Sequence, residues 1–119
     1  MLGKKSAEQI NAKISSIIGA DMVVDGDILA KEAVRVEGSV TGDVETEGAL
    51  IISSSGKVKG NVKGSSIIIG GSLEGDLTSG GRTEVASTGK VIGNIRTKSL
   101  VVDENGVFQG QCIMNAEGL

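Results

Sequence analysis

The chain has 119 residues, a net charge of −3, nineteen glycines, no proline, no histidine, one cysteine and a single aromatic residue, Phe108. This length suits one domain, and the shortage of aromatics excludes the usual bulky core, leaving aliphatics packed in a narrow space. The missing histidine removes the commonest general base and metal ligand, and the lack of any run of ~18 apolar residues removes a membrane-spanning helix.

Charge is unevenly placed. Lys4, Lys5 and Lys13 face only Glu8 within residues 1–16, a net of +2; nine bases and fourteen acids follow, a net of −5. The acidic body argues against nucleic acid as a partner. The basic start suits contact with an anionic surface. No apolar stretch behind Lys4 and Lys5 has the form of a secretory signal. The lone Cys112 excludes an intrachain disulfide and fits a reducing compartment.

Residues 1–16 read in two ways. Ser6 and Gln9 have capping-box spacing, and Ile10, Ile14, Ile17 and Ile18 follow at helical intervals, so a short amphipathic helix ending at Gly19 is one expectation. The other, favoured because so short a helix is marginal alone, is a flexible tail over 1–16, with Ile17-Ile18-Gly19 opening a first coil.

Beyond this point one phrase recurs. Val24-Asp25-Gly26-Asp27-Ile28 is a partial copy. Full copies are Gly38–Val44, Gly56–Val62, Gly71–Leu77, Gly89–Ile95 and Gly106–Cys112, each with two glycines separated by an apolar residue. The second glycines fall at 26, 42, 60, 75, 93 and 110, so the gaps are 16, 18, 15, 18 and 17. Such a period marks a solenoid. Each coil has room for three short strands and three bends. The expected fold is all-β: a single-stranded parallel solenoid of about six coils and triangular section over 17–114, with a short tail at 115–119.

The β-rich runs are Met22–Val24, Val34–Val36, Leu50–Ile52, Ile67–Ile69 and Leu100–Val102. Alternation turns Val34 and Val36, Leu50 and Ile52, and Ile67 and Ile69 inward, with Thr83 and Val85 in the fifth coil. Like positions stack. One bend position reads Asp27, Asp43, Asn61, Asp76, Asn94, Gln111; from 43 to 94 charged and neutral residues alternate, which limits repulsion between neighbouring coils. Glu45, Lys63, Thr78 and Arg96 form a second stack, and Thr41, Lys59 and Glu74 a third. Lys57, Lys59 and Lys63 make a basic patch beside Glu45, Glu47 and Glu74. A solvated surface is the ordinary reading of these charges, and a ligand site the rarer one.

A solenoid leaves an open edge at each end, and such edges invite pairing unless capped. Only Asn115–Leu119 follow the last coil, too few for a cap. Phe108 stands where earlier copies have Val or Leu. It either plugs the lumen or, as the missing cap favours, buries itself in a second molecule with Val107 and Ile113 beside it. Ile18, Met22 and Val24 would form the opposite face. Two adhesive ends predict end-to-end assembly.

Catalysis is not expected. Left-handed acyltransferase solenoids repeat every six residues and use a histidine base, and calcium-binding repeats need followers that Gly70-Gly71 and Gly80-Gly81 lack. No serine or cysteine has a base in sight. No cofactor, metal or nucleotide site is expected.

The ordered set of copies resembles the bactofilin family of bacterial cytoskeletal proteins. The resemblance rests on Ile17-Ile18-Gly19 leading into Val24–Ile28, on the recurring Val-x-Gly-Asp/Asn-Val copies, and on the ending Leu100–Gly110. It implies a right-handed parallel β-helix that polymerises without nucleotide into non-polar filaments through its terminal faces. It places Phe108 and its neighbours in the C-terminal contact, and Met1, Leu2, Lys4 and Lys5 in a peptide that targets the inner membrane. It implies a cytoplasmic scaffold for cell-shape or envelope machinery, whose partners are itself, inner membrane lipids and client proteins. Leu2 departs from the bulkier residue common at that place in the family. The alternative is a non-polymerising solenoid that recognises a cell-envelope polymer or protein through an outer face.

Overall fold

The computed structural model describes residues 14–114. These wind through six coils of three strands each. The strands are β1 (Ile14–Ile18), β2 (Val23–Asp25) and β3 (Ile28–Ala30); β4 (Ala33–Val36), β5 (Ser39–Thr41) and β6 (Val44–Thr46); β7 (Ala49–Ile52), β8 (Lys57–Lys59) and β9 (Val62–Gly64). The remaining coils are β10 (Ser66–Ile69), β11 (Ser72–Glu74) and β12 (Leu77–Ser79); β13 (Arg82–Val85), β14 (Lys90–Ile92) and β15 (Ile95–Thr97); β16 (Ser99–Val102), β17 (Val107–Gln109) and β18 (Cys112–Met114). Every third strand pairs in parallel, which builds three six-stranded sheets around one lumen. We call them A (from β1), B (from β2) and C (from β3).

The expected all-β solenoid of six coils is what forms. Inward positions alternate as read from the sequence: Val34, Val36, Leu50, Ile52, Ile67, Ile69, Thr83 and Val85 are fully buried in sheet A. Val40, Val58, Leu73 and Val91 fill the lumen from sheet B, and Val44, Val62, Leu77 and Ile95 from sheet C. Burial of so many aliphatics at ~25 cal/mol per Å² is the main stabilising term.

The corners explain the uneven period. Between sheets B and C the corner is always a Gly-Asx or Gly-Gln pair. Between A and B it takes two residues in the second and fourth coils and four in the others. Between C and A it takes one or two. The longer A–B corners close as tight turns, with Gly56 N donating to Ser53 O and Gly89 N to Ala86 O, both at 2.8 Å.

At the B–C corner the glycines have φ between 143° and 149°, a region that side chains rarely enter. A Cβ on Gly60 would also strike the carbonyl of Gly42 in the coil below. The residue after each glycine continues a ladder. Asp27 Oδ1 accepts from Asp43 N at 2.9 Å, and Asp43 Oδ1 from Asn61 N at 3.0 Å. Asn61, Asp76 and Asn94 continue it to Gln111 at 3.0, 3.1 and 3.2 Å. The bend stack read from the sequence is therefore a chain of side-chain acceptors that satisfies one backbone N–H per coil.

Two expectations need correcting. Met22–Val24 does not share the column of Val34–Val36. The turn closed by Met22 N and Gly19 O carries Val23 and Val24 into sheet B, opposite Ser39 and Val40. Ile17 and Ile18 hold the sheet A place instead, opposite Arg35 and Val36. Nor are Ile14, Ile17 and Ile18 helical: pairing with β4 supplies backbone partners that a lone helix would lack, so the first coil begins at Ile14. The rest of the helix-or-tail question, over residues 1–13, lies outside the described residues, as does the tail at 115–119.

Candidate assembly faces

Strand register determines what each end displays. Phe108 continues the inward column of Val24, Val40, Val58, Leu73 and Val91, one residue per coil. Its ring enters the lumen above Val91 and is half-buried. The plug and the contact readings thus meet in one position: one side of the ring packs on the core, and no further coil follows it among the described residues. Leu100 and Cys112 share this cross-section, also half-buried, with Val102 and Met114 at 41% and 53% exposure. The Cys112 thiol lies 3.6 Å from Met114 Sδ, and burial pushes its pKa up.

Val107 and Ile113 point the other way, out of the lumen, and are 40% and 45% exposed. Their columns give them meaning. Val107 ends the outward column Val23, Ser39, Lys57, Ser72, Lys90, and Ile113 ends the column Leu29, Glu45, Lys63, Thr78, Arg96. Both columns are polar through the middle coils and apolar only at the two ends. Val23 and Leu29 are the extreme cases, 77% and 80% exposed. Solvation alone gives no reason for such collars, whereas burial against another molecule does.

At the N-terminal end Ile18 is already buried by its own chain. Val24, Ile28 and Ala30 are half-buried, and Met22 is half exposed on the turn leading into β2. The sequence reading missed Val23, Leu29, Leu100, Val102 and Met114. Strict alternation carried into the outermost copies would have placed each on its column.

The basic patch divides. Lys57 and Lys59 face outward on sheet B; Lys63 lies round the Gly60-Asn61 corner on sheet C, between Glu45 and Thr78. Among the described residues no group of three His, Cys, Asp or Glu side chains could hold a metal ion, and no helix is long and apolar enough to cross a membrane. Met1, Leu2, Lys4 and Lys5 lie outside the described residues.

These features define a class: a three-sided β-solenoid with apolar collars on sheets B and C at its two ends. The family model for bactofilin, described as polymer-forming cytoskeletal, matches residues 16–113. The chain belongs to the bactofilin family. A bactofilin of Thermus thermophilus, solved by electron cryomicroscopy as double helical filaments, is 34% identical, with a TM-score of 0.74 over 84% of this chain and 99% of that one. No curated protein gives a significant sequence match. This is therefore a structural, polymer-forming protein, and the family and the related filament support self-assembly into homopolymers.

Proposed function

We propose that this chain assembles end to end, without nucleotide, through the two terminal cross-sections of the solenoid. The observation that carries this is the pair of outward columns that turn apolar only at Val23 and Leu29 and at Val107 and Ile113. Phe108, Val107 and Ile113 form the C-terminal contact. Ile18, Met22 and Val24 belong to the N-terminal one, with Ile18 acting from beneath. Each end meets its like in an isologous contact, so the filament has no polarity. The Thermus thermophilus filament is double helical, which suits rods that also associate side by side.

Negative-stain electron microscopy of the wild-type chain beside Phe108→Arg tests the end contacts. A charge inside a dry interface costs several kcal/mol unless paired. Filaments in the wild type and dispersed, folded particles in the variant are expected. Filaments unchanged by Phe108→Arg would reject the terminal contact, and loss of β-sheet circular dichroism in the variant would favour the plug role alone.

The filament lies on the cytoplasmic face of the inner membrane and scaffolds envelope or cell-shape machinery. Support comes from Met1 and Leu2 beside Lys4 and Lys5: weak singly, such a peptide gains by avidity in a polymer. Filaments should pellet with anionic vesicles, and Lys4→Glu/Lys5→Glu filaments should not. Equal pelleting of both would remove the membrane role.

A further inference from the structure

The outer face of sheet A differs from the other two. Its central outward column reads, from the first coil to the sixth, Ile17, Arg35, Ile51, Ile68, Glu84, Val101. Ile17, Ile68 and Val101 are 58%, 40% and 37% exposed, and Ile51 is half-buried. On sheets B and C the middle coils carry hydroxyls and charges at the equivalent columns. Here the middle coils carry isoleucine, flanked by the small residues Ala49 and Ser66.

The order of this column is self-complementary on reversal. A two-fold axis between the third and fourth coils, running along the strands, exchanges first with sixth, second with fifth and third with fourth. It sets Ile17 against Val101, Arg35 against Glu84 and Ile51 against Ile68, each twice. An axis along the rod would instead set Arg35 against Arg35 and Glu84 against Glu84, and like charges opposed across an interface are costly.

We propose that two copies of this chain pair side by side and antiparallel through the outer face of sheet A. The proposal rests on the reading of the chain as a filament former, and supplies its lateral contact. Stacked sheets sit ~10 Å apart, a gap that isoleucines fill and an Arg-Glu pair can span. The charges are placed for it. Arg35 Nε lies 2.8 Å from Glu37 Oε2, as an ion pair without good hydrogen-bond alignment, and this orients the guanidinium. Glu84 is held only loosely, 3.6 Å from Arg82. The face is electrically balanced by these two pairs, which suits a second copy better than an anionic membrane surface.

The test is charge reversal in the full chain, with filament width and vesicle pelleting as readouts and circular dichroism as the control for folding. Arg35→Glu alone and Glu84→Arg alone should each weaken lateral pairing at least tenfold, giving single rods that remain long. Arg35→Glu/Glu84→Arg should restore pairing. Failure of the double variant to restore it, or no effect of either single change, overturns the proposal. Wild-type filaments that are single overturn it while leaving end-to-end assembly standing. Loss of vesicle pelleting in Ile51→Glu/Ile68→Glu, with pairing intact, would assign the face to membrane and overturn it too. Absence of filaments, with antiparallel dimers in sedimentation velocity that obey the same charge rule, would support the lateral contact and reject the end-to-end reading.

Discussion

At the scale of single residues, the B–C corner is the least forgiving part of the molecule. Gly60 combines a φ of 149° with backbone of the neighbouring coil where a Cβ would stand. Gly26 has nearly the same φ, 143°, but among the described residues nothing lies within 4 Å of where its Cβ would stand. The two glycines therefore separate strain from collision. Gly60→Ala should lower unfolding stability by about 3 kcal/mol or more, and Gly26→Ala by about 1–2 kcal/mol. Thermal or denaturant unfolding of both variants, in the Phe108→Arg background to keep the chains dispersed, measures the difference. Equal losses would mean that the corner relaxes and only the dihedral matters.

At the scale of elements, the corner between sheets C and A depends on hydroxyl groups. Thr46, Ser79 and Thr97 occupy one inward column and are buried. Gly48 N donates to Thr46 Oγ1, and Gly81 N to Ser79 Oγ. Thr97 Oγ1 donates to Gly81 O or Ser99 O, both at 3.0 Å, and accepts from Thr83 Oγ1 at 2.9 Å. Thr83 thus replaces the aliphatic residue of its sheet A column because Thr97 offers it an acceptor. Thr97→Val leaves the Thr83 hydroxyl buried without that partner and should cost about 1–2 kcal/mol. Adding Thr83→Val should recover most of the loss, since both polar groups are then gone. A double variant as unstable as the sum of the singles would show that the two hydroxyls act independently.

At the scale of the whole molecule, the described coils cover one another along the rod, and among the described residues nothing covers the first and the last. The middle coils bury their apolar residues on coils above and below; among the described residues the first and last have a neighbour on one side. Cys112 reports on this directly. Its thiol is half-buried in the last coil, and burial raises its pKa, so thiolate should appear only at higher pH than for an ordinary cysteine. In dispersed Phe108→Arg chains alkylation of Cys112 should accelerate as pH rises above the ordinary thiol range. In wild-type filaments the proposed end contact should cover the C-terminal face and keep alkylation slow throughout. Alkylation at the same rate in filaments and dispersed chains would place the C-terminal face outside the polymer contact.

Much of the fold was legible because its rules are local. Alternation along each strand chose the inward side for Val34 and Val36 or Leu50 and Ile52. The spaced glycines marked the bends, and the Asp/Asn positions between 27 and 111 announced a stack. The stacks of Glu45, Lys63, Thr78 and Arg96 and of Thr41, Lys59 and Glu74, with members 15 to 18 places apart, were legible too. What the linear order left open was which residues of the outermost coils join such columns, and what the outer face of sheet A displays. Corner length sets that register, and corners here vary by up to two residues. A four-residue turn, ending at Met22, carried Val23 and Val24 into sheet B, and brought Val23 into line with Val107 through four polar residues. In the same way only stacking aligned Ile17, Arg35, Ile51, Ile68, Glu84 and Val101 into one reversible column. Inward packing is decided by neighbours two residues away in the chain, and so by sequence alone. The outer surfaces are decided by neighbours one coil away: the repeat phrase shows them where its copies are full, and only the tertiary structure shows them at the first and last coils and on sheet A.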